Sequence, residues 1–199
     1  MAGSRRSSGA ALAADAQVLA CHGLGSSVAN GRAFAGSGRH LLARSCRLVE
    51  RAMDYDQVDV LGKGTMWQGG ALDAAIDSPP FAGPLLVVCM DRGEDNDQFI
   101  NHATVEAVLA VWIDDAPTGC LKDGVLTGLA DAIVAWLNDG GNVYLHCREG
   151  RSRGSYIDIA VHCRALGISA DDALARIRAQ RPIADPNPGF LAQLQRLWP

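Results

Sequence analysis

The chain has 199 residues, 48% of them hydrophobic, and a net charge of −4. That is enough apolar material for one well-buried domain, with or without a tail. No run approaches the ~18 apolar residues of a membrane-spanning helix. Residues 1–50 carry six arginines against Asp15 and Glu50, so the rest of the chain is acidic, which argues against a nucleic-acid partner.

Residues 1–52 form a basic stretch rich in Gly, Ser, Ala and Arg, without sustained periodicity. Such a composition predicts a mobile tail ahead of a folded unit at 53–199. Within it, "HLLARSCRLVERAM" (40–53) has the pattern of a short helix, and Met53 is an alternative start because organised sequence begins just after it. Arg5-Arg6 before "GAALAADAQVLAC" weakly resembles an export signal with a lipid-accepting Cys21. Asp15 interrupts that stretch, which is Ala-rich rather than Leu-rich, so a cytoplasmic location is the main expectation. The six cysteines (Cys21, Cys46, Cys89, Cys120, Cys147, Cys163) show no CxxC and no repeated spacing, which suits reduced thiols. Neither they nor the five histidines cluster as metal ligands, so no metal or other cofactor is expected.

From residue 57 the pattern becomes regular. "QVDVLG" and "GTMWQGG" predict a hairpin, and "ALDAAID" (71–77) a short helix closed by Ser78-Pro79-Pro80. The apolar run 84–90 has the length of a strand buried on both faces, and 105–113 predicts another, ending at Asp114-Asp115. A helix follows with Val125, Leu129, Ile133, Trp136 and Leu137 on one face, stopped by Gly140-Gly141. "NVYLHC" is a strand and "SYIDIAVHCRALG" a helix ending at Gly167. Ser169 and Asp172 have capping-box spacing for the next helix, and Asn187-Pro188 caps the last. Strands alternating with helices imply an α/β fold, a central mostly parallel sheet covered on both faces.

In that order residues 147–153, "CREGRSR", turn from a buried strand into a helix. Backbone N–H groups at a helix start and the helix dipole favour an anion there. Gly150 lets the backbone turn inward. A cysteine so placed is favoured as thiolate, and the fork of Arg153 suits two oxygens of a phosphate. Nucleophile, cradle and clamp around one tetrahedral dianion describe phosphomonoester hydrolysis through a phosphocysteine. Cys-x5-Arg alone is a weak signal. His146, Gly150, the strand before and the helix after strengthen it.

"HCREGRSR", "RIRAQRPIADPNPGFLAQLQRLW" and "MWQGGALDAA" resemble the dual-specificity phosphatases of the cysteine-dependent protein tyrosine phosphatase superfamily, over about residues 57–199. The resemblance implies their fold, a metal-independent two-step mechanism and phosphorylated proteins as substrates. It implies Cys147 as nucleophile, Arg153 as clamp and His146 as support for the loop and thiolate. Residues 148–153 (Arg148, Glu149, Gly150, Arg151, Ser152, Arg153) become the phosphate-binding loop, with Ser152 bonding within it and Glu149 buttressing an arginine. The family's acid is an Asp a little over thirty residues before the Cys. Asp115 lies 32 residues ahead of Cys147 and Asp114 lies 33, which makes Asp115 the first choice and Asp114 the alternate. Cys89 in "VVCMDR" resembles a cysteine that some lipid-phosphatase relatives use to trap the oxidised nucleophile. Its plainer role is a small buried hydrophobe.

One position departs from the family: Gly154 stands where a Ser or Thr usually follows the Arg and helps the thiolate leave. This implies slowed phosphocysteine hydrolysis unless Ser152 or Ser155 substitutes. No tyrosine-bearing recognition loop is evident, so a shallow pocket open to phosphoserine, phosphothreonine and phosphotyrosine is expected. Arg148 and Arg151 also suit a phospholipid head group. A catalytically impaired phosphate-binding module is a further reading, while a metal-dependent phosphatase lacks the Asp/His clusters it needs.

Overall fold

The computed structural model describes residues 19–20, 55–70, 83–91 and 104–199. The helices expected at 40–53 and 71–77, and most of 1–52, lie outside the described residues. The strands are β1 (Leu19–Ala20), β2 (Tyr55–Leu61), β3 (Gly64–Gly70), β4 (Leu85–Cys89), β5 (Val105–Ala110) and β6 (Asn142–Cys147). They form one sheet in the order β1-β5-β4-β6-β3-β2. The three inner pairings are parallel, and the two outer ones, β1 with β5 and β2 with β3, are antiparallel. The fold is thus the α/β class expected, with the β2–β3 hairpin at one edge. At the other edge Leu19–Ala20, expected in a tail, pair with Leu109 and Ala110.

Every residue of β4 is buried, as a continuous apolar run in a central parallel strand should be. Strand alternation sorts the side chains. Met66, Leu86, Val88, Val143 and Leu145 join a large core with the helices, while Leu85, Val87 and Tyr144 form a smaller cluster on the opposite face. Helices α1 (Asp123–Asn138), α2 (Arg153–Leu166), α3 (Ala170–Gln180) and α4 (Pro188–Leu197) all contribute to the first core and none to the second. Helical cover on both faces was expected. Among the described residues it lies on one.

The helix ends follow their caps. Gly167 ends α2 in the left-handed conformation, Ser169 Oγ accepts the Asp172 N–H, and Asn187 Oδ1 accepts from Gly189 and Phe190 ahead of α4. Two boundaries differ from expectation. β5 stops at Ala110 rather than 113, because only the Val111 N–H still reaches the Cys89 carbonyl before the chain leaves the sheet. α1 buries Leu126, Ala130, Ile133 and Leu137, with Val125, Leu129 and Trp136 at the flanks. The apolar stripe weighted the large side chains, whereas the buried face also includes the small Ala130. No helix among the described residues is long and apolar enough to cross a membrane.

Candidate active site

β6 delivers Cys147, buried at 2% exposure, beside Gly70 at the end of β3. α2 opens at Arg153, two residues earlier than expected, so the loop runs straight into a helical first turn with its unpaired N–H groups. Gly150 is buried with φ +65°, and an added Cβ would lie 2.5 Å from Arg181 Nη2 and 2.6 Å from the Gly69 carbonyl carbon. Both the backbone conformation and the space admit only glycine.

Beneath the loop, Gln68 Nε2 and Arg181 Nε each donate to the Gly150 carbonyl at 2.9 Å. The next carbonyl, of Arg151, accepts from Ser155 Oγ at 2.5 Å and from the Asp185 N–H at 3.0 Å. In a planar trans peptide the following N–H points the opposite way. Fixing these two carbonyls therefore turns the N–H groups of Arg151 and Ser152 away from their buried partners.

Arg153 is held from behind. Its Nη1 donates to the Met90 carbonyl and to Asp91 Oδ1, both at 3.2 Å, and its Nε lies 3.8 Å from Asp115 Oδ2. Among the described residues that Nε has no hydrogen-bond partner. Asp115 Oδ1 accepts from Ser152 Oγ at 2.6 Å and from Asn187 Nδ2 at 3.0 Å. Cysteine loop, arginine and carboxylate thus meet at a cleft of about 660 Å³, which Asn187, Pro188 and Leu191 complete. Asp114 is exposed and does not line this cleft.

Arg148 and Glu149 are exposed at the mouth, and Glu149 has no arginine partner among the described residues. Arg151 Nη2 donates to Asp185 Oδ2 at 3.1 Å. Ser152 was expected to bond within the loop. Its hydroxyl instead donates to Asp115 and accepts the Asn187 N–H at 3.1 Å. Burial pushes the His146 imidazole down to about 4, against the opposing pull of Asp91, so it is neutral at neutral pH. It stacks on Tyr144, with centroids 5.6 Å apart.

Cys89 and Cys147 are not joined in a disulfide, and the Cys89 thiol donates to the Asp91 carbonyl at 3.4 Å. Cys89 pairs across the sheet with His146, the residue before Cys147. In the pleat Cys89 follows Val87 of the smaller cluster, whereas Cys147 belongs to the helix-side core.

Several participants escaped the sequence reading. Gln68, Asp91 and Arg181 come from strands, loops and helices far apart in the chain; each lies in a stretch that carries a resemblance, yet nothing there marks the contact it makes. Asn187 was legible as a helix cap, and its contact with Asp115 was not. Gly189 had a signal in the Asn-Pro-Gly-Phe motif: a Cβ there would lie 2.0 Å from the Pro117 carbonyl oxygen, where the loop that carries Asp115 rests on α4.

Comparison with known proteins gives a consistent result. The family model described as dual specificity phosphatase, catalytic domain, matches residues 87–197, more than half of the chain. Mouse dual specificity phosphatase 28 is 42% identical over 65 residues, covering 33% of this chain and 40% of that protein. The matched stretch is therefore well under two thirds of that relative's length. The crystal structure of human DUSP28 aligns with a TM-score of 0.61 at 29% identity, covering 71% of this chain and 93% of that one. A mouse dual specificity phosphatase complexed with zinc tungstate aligns with a TM-score of 0.55 at 30% identity, covering 71% of this chain and 84% of that one.

Proposed function

Because this chain belongs to the dual-specificity phosphatase family, we propose that it hydrolyses phosphomonoesters on phosphotyrosine and phosphoserine/phosphothreonine proteins through a phosphocysteine on Cys147. The observation that carries this reading is the convergence of Cys147, Arg153 and Asp115 on one cleft. The tungstate complex of the mouse relative also supports it, since tungstate is a tetrahedral oxyanion like phosphate.

In the first step the Cys147 thiolate attacks phosphorus and the bond to the leaving oxygen breaks, with Asp115 supplying that oxygen's proton. Arg153 and the N–H groups of the loop bind the equatorial oxygens, whose charge grows as the reaction proceeds. In the second step water attacks phosphorus, the Asp115 carboxylate takes its proton, and the thiolate leaves with its electron pair. Neutral His146 keeps the base of the loop packed. No step calls for a metal, and residues 53–199 are the unit that carries the activity. The absence of a disulfide among the four described cysteines suits a reducing, cytoplasmic setting.

The test is hydrolysis of a small aryl phosphate in EDTA and reductant, beside Cys147→Ser. Activity that survives EDTA and vanishes with the variant is expected. Activity that persists in Cys147→Ser overturns the mechanism.

Position 154 favours one refinement. The hydroxyl of Ser152 is engaged with Asp115 and Asn187, and that of Ser155 with the Arg151 carbonyl and Gln68. With both occupied, breakdown of the phosphocysteine is the slower step, and one equivalent of phenol should burst ahead of steady turnover. A linear time course from the first turnover would argue against it. The arginines at the mouth also suit a phospholipid head group, and measuring release of phosphate from phosphoinositide vesicles beside phosphopeptides separates the two substrate classes.

A further inference from the structure

We infer that Gln68 is a positioning residue for the phosphate-binding loop, and that its amide needs the space left by the missing side chain of Gly154. The inference rests on the phosphocysteine reading above.

Gln68 lies on β3 and is fully buried. A buried amide weakens a fold unless its polar atoms are bonded. Here both bonds of the amide nitrogen serve the loop and the helix that follows it: 2.9 Å to the Gly150 carbonyl and 3.0 Å to Ser155 Oγ. Ser155 Oγ in turn donates to the Arg151 carbonyl at 2.5 Å. One amide therefore fixes two successive peptide planes, the first directly and the second through a hydroxyl. Those are the planes whose N–H groups, on Arg151 and Ser152, belong to the oxyanion cradle.

The other end of the amide makes the case sharper. Gln68 Oε1 is buried without a hydrogen-bond partner among the described residues. By stability alone an apolar side chain suits this position better, since an unsatisfied buried acceptor is a cost. The use of a glutamine here lies in the loop.

The matched partner is Gly154. A Cβ at that position would lie 3.3 Å from Gln68 Nε2 and 3.4 Å from Cδ and Cγ. A serine there presses on the amide that holds the loop, so this chain can keep Gln68 or a hydroxyl at 154, but not both without readjustment. Arg181 shares the Gly150 carbonyl and is itself tied to Asp56 at 2.8 Å. Loss of Gln68 thus slackens the loop rather than unfolding it.

The experiment uses the full chain and two readouts: the dissociation constant for inorganic tungstate by calorimetry, which needs no turnover, and kcat and KM on an aryl phosphate. Gln68→Met keeps the volume and removes both donors. It should weaken tungstate binding and lower kcat on the order of tenfold, the worth of about one or two hydrogen bonds, while the melting temperature stays level or rises. Gly154→Ser should weaken tungstate binding in the parent. In a Gln68→Ala background, which removes all three crowding atoms, the same serine should cost much less. A Gln68→Met protein with parental tungstate affinity and kcat overturns the inference, as does one whose defect is a lowered melting temperature with parental affinity in the folded fraction. Serine penalties that multiply independently in the two backgrounds overturn the pairing. A parent chain that neither binds tungstate nor hydrolyses the ester overturns the phosphatase reading, and the inference falls with it.

Discussion

The two halves of the site are built differently. The loop from Cys147 to Arg153 is gripped from inside: two buried donors hold the Gly150 carbonyl, and the arginine is anchored on the end of β4. Asp115 stands at the surface, with its side chain 39% exposed, and its partners Ser152 and Asn187 meet it through exposed hydrogen bonds. Buried, multiply bonded groups fix geometry, whereas exposed ones exchange with water for little net energy. The Cys147–Arg153 loop is thus set in advance, and Asp115 is placed by contacts that binding can rearrange.

Substitutions should separate these halves. The largest effect is expected from Arg153→Lys, which keeps the charge and loses the fork. It should lower kcat/KM on an aryl phosphate by about 10²–10³-fold, the scale of losing an oxyanion donor. A loss under threefold would mean that the clamp lies elsewhere.

Gly150→Ala tests the buried grip. The left-handed backbone alone costs about 1–2 kcal/mol with a Cβ, and the Gly69 backbone adds a clash. A melting temperature lowered by about 4 °C or more, with activity lost in the folded fraction, is expected by calorimetry and assay. An unchanged protein would show the loop to be looser than its hydrogen bonds imply.

On the exposed side, Asp115→Asn should lower kcat for an alkyl phosphate by about 10²-fold or more, and far less for an ester whose leaving group needs no proton. Asn187→Ala removes one of the carboxylate's supports together with the N-cap of α4, so it should lower kcat a few-fold in the folded fraction and cost about 1 kcal/mol of stability. Equal losses on good and poor leaving groups would remove the acid role from Asp115.

The smallest effect is in stability against pH, and two buried histidines pull it in opposite directions. Burial lowers His146 to about 4, so its contribution is complete above the ordinary value near 6.5 and is lost as pH falls from there through about 4. Burial also disfavours the charge on His162, but Asp158 and Asp59 outweigh it and raise its pKa. Its contribution is complete below 6.5 and is lost as pH rises through its folded-state value. Urea unfolding across pH should fall away on both sides, and His162→Gln should flatten the alkaline side alone. A profile unchanged by that substitution would exclude His162 as the source.

Much of this molecule was legible without coordinates. The apolar runs of β4 and β6 fixed the buried strands, the Ser169 and Asn187 caps fixed helix starts, and the order of elements implied the parallel sheet. The cysteine, its glycine and the arginine stood out as a local motif, and the family resemblance pointed to Asp115 ahead of Asp114; of the two carboxylates, Asp115 lines the cleft. These signals are legible because each depends on neighbours in sequence: a strand's period, a cap's reach, a loop's required backbone.

The supports of the site depend on something else. Gln68 and Arg181 converge on one carbonyl from positions 82 and 31 residues away from Gly150, and Asn187 reaches Asp115 across 72. An isolated glutamine in a strand carries no trace of the carbonyl it will hold, because hydrogen bonding is set by distance in space and not along the chain. Cys147, Arg153 and Asp115, the residues proposed for the chemistry, were legible along the chain and line one cleft. What holds them, and that the Cys147–Arg153 loop is gripped by buried donors while Asp115 is met at the surface, follows from contacts between residues far apart in the chain that meet only in the folded molecule.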